Sequence, residues 1–162
     1  MRSAWHDEGM SQRDRIRMDD AEVAAFLSAQ RHMSVATLDP DGWPHLVAMW
    51  FVLRDGAVHF WTYGKSRKAV NLRRDPRLTC LIEAGGRYGE LRGVSLTGRG
   101  VLLEDTAEVN ALGLEISERF GGPIPSGPDG DAARTGIATQ AAKRVGVRVA
   151  VERVASWDHR KL

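Results

Sequence analysis

Three runs rich in β-branched and aromatic residues follow one another after residue 31: "HMSVATL", "WPHLVAMWFVLR" and "AVHFWTY", with "DPDG" and "RDG" between them. Such runs divided by short polar turns predict strands. Asp41-Gly42 and Asp55-Gly56 supply the residue types that tolerate positive φ at a hairpin, so the three predict an antiparallel meander. Two further runs, "RLTCLIEAG" and "ELRGVSLTGRGVLLED", flank the loop "GRYG", and Gly93, Gly98 and Gly100 predict bends of the kind that close a barrel. The last run, "VGVRVAVERVASWD", sets Val145, Val147, Val149 and Val151 against Gly146, Arg148, Ala150 and Glu152, the alternation of a half-buried strand ending at Trp157.

Helical periods fall between and before these runs. "MDDAEVAAFLSAQ" starts at a cap, Asp19 or Asp20, and places Val23, Phe26 and Leu27 on one face. "SRKAVNLRRDP" offers Ser66 as a cap, Val70 as the inward contact and Pro76 as the stop. "TAEVNALGLEISERFGG" starts at Thr106 and ends at Gly121-Gly122, "PIPSGPDGD" reads as an exposed loop, and "ARTGIATQAAKR" as a second short helix before the last strand. Strands joined by tight turns cannot be parallel, because a parallel pair needs a long crossover. The expectation is a mainly β protein, a six-stranded antiparallel barrel with peripheral helices, over residues 18–162. Residues 1–17 are charged and aperiodic and read as a flexible arm, with Trp5 as its one large apolar side chain.

Composition narrows the function. At 162 residues and 43% hydrophobic, the chain is long enough for one domain with a real core. Its 23 basic and 21 acidic residues leave a net charge of +2, without the excess of a general nucleic-acid binder. No apolar stretch reaches the roughly 18 residues of a membrane span, and the polar N-terminus lacks a signal-peptide core. The single cysteine, Cys80, sits inside an apolar run and excludes an internal disulfide. A soluble cytoplasmic protein is expected.

The charge is concentrated at one place. "YGKSRKAVNLRRDPR", residues 63–77, holds six basic residues, including two of the four lysines. A strand ending in Thr62 and Tyr63 delivers the chain to a helix start carrying Lys65, Ser66, Arg67 and Lys68. First-turn N–H groups and the positive end of the helix dipole favour an anion there, whereas cations in that turn oppose the dipole. The lysines and Arg67 therefore read as placed for a ligand; the competing reading is a solvated basic helix face. No spacing among the five histidines, Cys80 and the carboxylates makes a metal site. His45 and His59 are single histidines on strands, and no acid/base catalyst stands out.

The order from Met18 to Leu162, with "SVATLDPDGWPHLVAMWFV", "VHFWTYGKSRKAVNLRRDPRLTCLIE", "LRGVSLTGRGVLLED" and terminal "SWDHRKL", resembles the pyridoxamine phosphate oxidase-like superfamily of flavin and deazaflavin split barrels. Within it the likeness is strongest to the actinobacterial deazaflavin (F420)-dependent reductases. The resemblance implies a homodimer with a cofactor in each groove between two barrels. It implies that Lys65, Ser66, Arg67 and Lys68 hold the phosphate with Thr62 beside it, that Val47, Ala48, Met49 and Trp50 line the ring, and that Asn71 lies within reach. Trp157, Asp158 and His159 match a C-terminal tryptophan motif that commonly meets the cofactor across the dimer interface.

Coenzyme F420 and FMN share a ring and a ribityl phosphate, but the deazaflavin continues into an oligoglutamate tail. Arg73, Arg74 and Arg77, beyond the cations that suffice for one phosphate, favour F420, with FMN as the alternative. Trp50 and Trp61 are candidate stacking surfaces, and strand alternation allows only one of Trp50 and Phe51 to face the groove. The implied activity is hydride transfer from reduced cofactor to a small conjugated organic molecule. A carrier that sequesters the cofactor or a tetrapyrrole on the same barrel is the non-enzymatic alternative.

Overall fold

A computed structural model describes residues 11–162; Trp5 lies outside the described residues. Seven strands form the fold: β1 (His32–Leu38), β2 (Pro44–Trp50), β3 (Val52–Arg54), β4 (Ala57–Tyr63), β5 (Arg77–Ala84), β6 (Arg92–Leu103) and β7 (Arg144–Asp158). All pair antiparallel in the order β2-β1-β5-β6-β7-β4-β3. β2 and β3 stand at opposite ends of that order yet only Phe51 separates them in the chain. The sheet must therefore curl until its two edges meet at this residue, which makes it a split barrel. Phe51 is fully buried at that seam, and its N–H donates to Arg31 O at 3.4 Å.

The seam explains the strand count, seven where the sequence pattern predicts six. Trp50 and Phe51 read as one continuous run, and what divides it is the change of sheet edge. As alternation requires, Trp50 turns outward, 51% exposed, while Phe51 turns in. The hairpin at Asp55-Gly56 has the positive φ pair (50° and 75°) expected of its sequence.

Inward-facing Met33, Val35, Phe60, Cys80, Ile82, Val94, Val147 and Val149 form the barrel core with Phe26 and Leu27 of α2 (Asp20–Ala29). Asp19 caps α2 in a reciprocal capping box with Glu22. Cys80 is fully buried, and burial pushes its thiol up to about 12. The native protein is accordingly expected to leave an aromatic disulfide reagent unreacted at about pH 8 and to titrate one thiol once unfolded. Prompt reaction of the native protein would contradict this packing.

Two helix-facing and strand-facing assignments differ from the sequence pattern. In α3 (Arg67–Arg74) the buried positions are Ala69, Asn71 and Leu72, and Val70 is 53% exposed. Residues 69 and 72 share the face packed toward the sheet, and 70 falls about 100° away from 69. In β7, Val145, Val147 and Val149 point inward, but Val151 is 42% exposed. Thr97 pairs with Arg153 and Gly98 with Val151, so Glu152 is an extra residue, and a bulge reverses the phase of the alternation. Gly98 is required there, since a Cβ on it would lie 2.1 Å from Ala150 O.

Two helices connect β6 to β7. α4 (Thr106–Gly121), capped by Asp105, lies on the outer face of β3, β4 and β7, where Leu112 and Ile116 join Val52, Trp61 and Phe120 in a second apolar cluster. α5 (Pro128–Ala141) begins earlier than its sequence suggests, with Pro128 in its first turn, and Arg144 already belongs to β7. Ahead of α2, residues Gln12–Arg15 form one short helix, α1, and Ile16 O accepts the Asp158 N–H at 2.6 Å, tying this segment to the end of β7.

Candidate functional site

β4 ends at Tyr63, and the chain turns through Gly64 and Lys65 into α3. Ser66 Oγ accepts the Ala69 N–H at 3.4 Å and shares a 3.1 Å hydrogen bond with Thr62 Oγ1. Ser66 is therefore a working N-cap, and buried Thr62 braces it from the strand. Lys65 is exposed and Lys68 half-buried. Burial pushes the Lys68 ammonium below its ordinary value, and the charge of Arg144 nearby pushes it further.

Other members of the basic stretch are occupied. Arg67 donates from Nε to Asp39 Oδ1 at 2.8 Å and forms an ion pair with that buried carboxylate. Asn71, itself buried, donates to the same Oδ1 at 2.9 Å and to Thr37 Oγ1 at 3.1 Å. Hydrogen bonds from Asn71 and Arg67 hold Asp39 below the usual carboxylate range. This network anchors α3 to the end of β1. Arg73 pairs with Glu104 at 2.9 Å, Arg74 donates to Leu38 O, and Arg77 pairs with Asp75 at 2.6 Å. The surplus cations of the sequence argument are thus engaged with protein groups, and Lys65 and Lys68 have no ion-pair partner among the described residues.

Two grooves meet beside this helix start. The first, about 420 Å³, is lined by His32, Ala48, Met49, Trp50, Trp61 and Arg144, with Ile116 and Ser117 of α4 on its wall. Trp50 stacks on Phe120, centroids 4.4 Å apart and planes 14° from parallel, leaving a flat aromatic face. Val47 is not in this lining; it pairs with Val35 of β1. The second groove, about 710 Å³, is lined by Tyr63, Gly64, Lys65, Arg73, Lys143, Arg144 and neighbours, with no carboxylate among them.

Arg144 belongs to both grooves and is absent from the sequence-based candidates. It stands opposite Tyr63 in the β4–β7 register, and its guanidinium lies 4.2 Å from the Tyr63 ring centroid and 4.4 Å from that of Trp61. Sequence alone places Arg144 at the end of a helix, after the helix-forming Ala141 and Ala142. Its contact with Trp61 and Tyr63 exists only once β7 pairs with β4.

Trp61 is held from the other side by α4. A Cβ on Gly113 would lie 2.5 Å from Trp61 Cζ3 and 3.0 Å from Ile137 Cγ2. Gly113→Ala is therefore expected to cost roughly 1–3 kcal/mol by overpacking and to shift tryptophan emission as Trp61 moves. Unchanged emission with full stability would show that α4 yields freely there.

The C-terminal candidates lie elsewhere in the same chain. Trp157 packs over Gly93, where a Cβ would come within 2.1 Å of its ring. Asp158 is buried, pairs with Arg160 at 2.6 Å and is held below the usual carboxylate range mainly by that hydrogen bond, so it is an anion that caps the final turn. His159 meets Tyr88 edge-on at 4.6 Å. From Arg144 to Asp158 β7 runs its full 15 residues, about 45 Å of strand. One chain does not bring these residues to the grooves beside α3.

A curled antiparallel sheet with an aromatic groove against a cation-bearing helix start defines a split-barrel protein. The sequence profile of the pyridoxamine 5'-phosphate oxidase family matches residues 19–158, and the chain belongs to that family. It is 35% identical over 111 residues, 67% of this chain and 75% of the other, to an F420H(2)-dependent biliverdin reductase of Mycobacterium tuberculosis. The crystal structure of a conserved hypothetical protein from Mycobacterium tuberculosis superimposes with a TM-score of 0.84 at 43% identity, covering 94% of this chain and 92% of that one. An F420 reductase shares the fold at a TM-score of 0.62 and 22% identity, over 80% of this chain and 93% of its own.

Proposed function

We propose that this protein is an F420-dependent oxidoreductase that uses the reduced deazaflavin to deliver hydride to a small, flat, conjugated organic acceptor. One observation carries the reading: an aromatic groove and a basic groove without a lining carboxylate join at Arg144. Family membership and the F420-dependent relative support the coarser class, a flavin- or F420-related oxidoreductase.

The residues present suit the group. A planar ring with an anionic extension needs apolar and aromatic lining that opens onto cations, and Arg144, which lines both grooves, has no carboxylate partner among the described residues. Ala48, Met49, Trp50 and Trp61 would hold the ring; Lys65, Ser66 and Lys68, with Thr62 behind them, would hold the phosphate. Lys143 extends the cations beyond what one phosphate requires, which favours the carboxylate-tailed deazaflavin over FMN. When bound, the deazaflavin supplies two-electron hydride chemistry without the flavin's ready reaction with oxygen. The chain's own part is to orient an acceptor against Trp50 and Trp61 and to exclude water from the groove.

The assembly belongs to the same proposal. In a homodimer, Trp157 and His159 of one copy reach the grooves of the other, which removes the separation along β7; light scattering of the purified protein tests the dimer.

Separate titrations with F420 and with FMN, followed by tryptophan fluorescence, test the cofactor. Oxidation of reduced F420 by quinones, tetrapyrroles and enones tests the reaction. Tighter binding of F420 with turnover of one acceptor class is the expected result. Preference for FMN would move the reading to flavin chemistry, and binding of neither would sink it.

A further inference from the structure

Arg144 is fixed more firmly than a solvated arginine needs to be. Its guanidinium packs against Tyr63 and Trp61, whose side chains lie on one face of β4, and Gly146 rather than a side chain stands opposite Trp61. Gly146 itself sits against Leu103 and Leu112, so this face of β7 is closed beneath the stack. The Nη2 group reaches Gln140 Oε1 at 3.4 Å, a long contact to a neutral acceptor, and the Nε–H is buried with no partner. Among the described residues no carboxylate forms an ion pair with it. Instead a second cation, Lys68, lies close enough for the two charges to repel.

Two like charges are unfavourable in the isolated chain, and an oxyanion held by the guanidinium offsets their repulsion and gives Arg144 the charged partner it lacks. We propose that Arg144 is the principal oxyanion ligand of this protein, a stacked guanidinium that grips a phosphoryl or carboxylate group where the two grooves join. The assignment rests on the cofactor reading for the identity of the ligand, and it makes the first residue of the C-terminal strand, rather than Arg67, the arginine of the anion site. Arg67 is held by Asp39 and serves to anchor α3. Planarity is part of the function, because only a guanidinium can both lie against two rings and present a fork of donors; lysine keeps the charge and loses both features.

The test compares the wild-type protein with Arg144→Gln and Arg144→Lys, each free of cofactor, by tryptophan fluorescence during titration with inorganic phosphate, a triglutamate peptide, FMN and F420. Thermal unfolding of all three proteins controls for folding, with Arg144→Lys as the variant that preserves charge. The expected result is a loss of roughly tenfold or more in affinity for FMN and F420 in Arg144→Gln, most of which Arg144→Lys fails to restore. A response to phosphate that disappears in Arg144→Gln assigns the site to a phosphoryl group; a response to triglutamate alone assigns it to a carboxylate. Cofactor affinity unchanged in Arg144→Gln would overturn the inference and leave the proposed function standing. Arg144-dependent binding of phosphate by a protein that binds neither cofactor would do the reverse. Restoration of full affinity by Arg144→Lys would also overturn it, since charge alone would then suffice.

Discussion

Replacing Lys65 and Lys68 together by alanine is expected to weaken cofactor binding by more than tenfold and to leave folding stability nearly unchanged. Charge-assisted hydrogen bonds to an anion contribute roughly 1.5–3 kcal/mol each, so the loss of two exceeds the 1.4 kcal/mol of a tenfold change even after solvent weakens the one at exposed Lys65. Stability is spared because neither lysine has an ion-pair partner among the described residues and because cations near a helix N-terminus oppose the dipole. Calorimetric titration with F420 and FMN, beside urea unfolding, measures both quantities. Unchanged affinity would move the anion site to Lys143 and Arg144 alone. A large fall in stability would mean that the lysines hold the fold and not a ligand.

The second large effect falls on the barrel seam. Phe51→Ala is expected to cost about 3–5 kcal/mol, the range for removing a fully buried aromatic side chain. That is a large fraction of the 5–15 kcal/mol typical of a whole domain. Phe51 is fully buried where the two sheet edges meet, so the cavity left behind opens between β2 and β3. Trp50, next in the chain and stacked on Phe120, should report the loosening as a red shift of its emission before global unfolding. A loss no larger than about 0.5 kcal/mol, the size of a surface substitution, would show that other contacts close the barrel.

Both predictions draw on features of unequal visibility in the sequence. Ser66 as a cap, the Asp55-Gly56 hairpin, buried Cys80 and the opposed Trp50 and Phe51 follow from rules acting within a few residues, and each is found in the structure. Val70 and Val151 went the other way. Val70 turns outward because tertiary packing selects which of several apolar faces of a short helix is buried. Val151 turns outward because Glu152 bulges against a partner strand some fifty positions earlier, and no local pattern in β7 carries that information.

The anion site shows the same division. Clustered cations at a helix start are legible as a cluster, yet their partners are not. Asp39 and Glu104 lie 28 and 31 residues from Arg67 and Arg73, and only folding brings these pairs together. In this chain Arg67 is held by Asp39 and Arg73 by Glu104. In their place the fold presents Lys143 and Arg144, separated from Tyr63 by the whole of β5, β6, α4 and α5.

By itself, then, the sequence determined the antiparallel strands, their turns, the capped basic helix and the family to which they belong, because turn chemistry, capping and alternation act between near neighbours. The tertiary structure decided where the sheet closes, which cations have carboxylate partners and which arginine the two grooves share. Those outcomes depend on register and on contacts across the sheet, where residues far apart in the chain compete for the same partner.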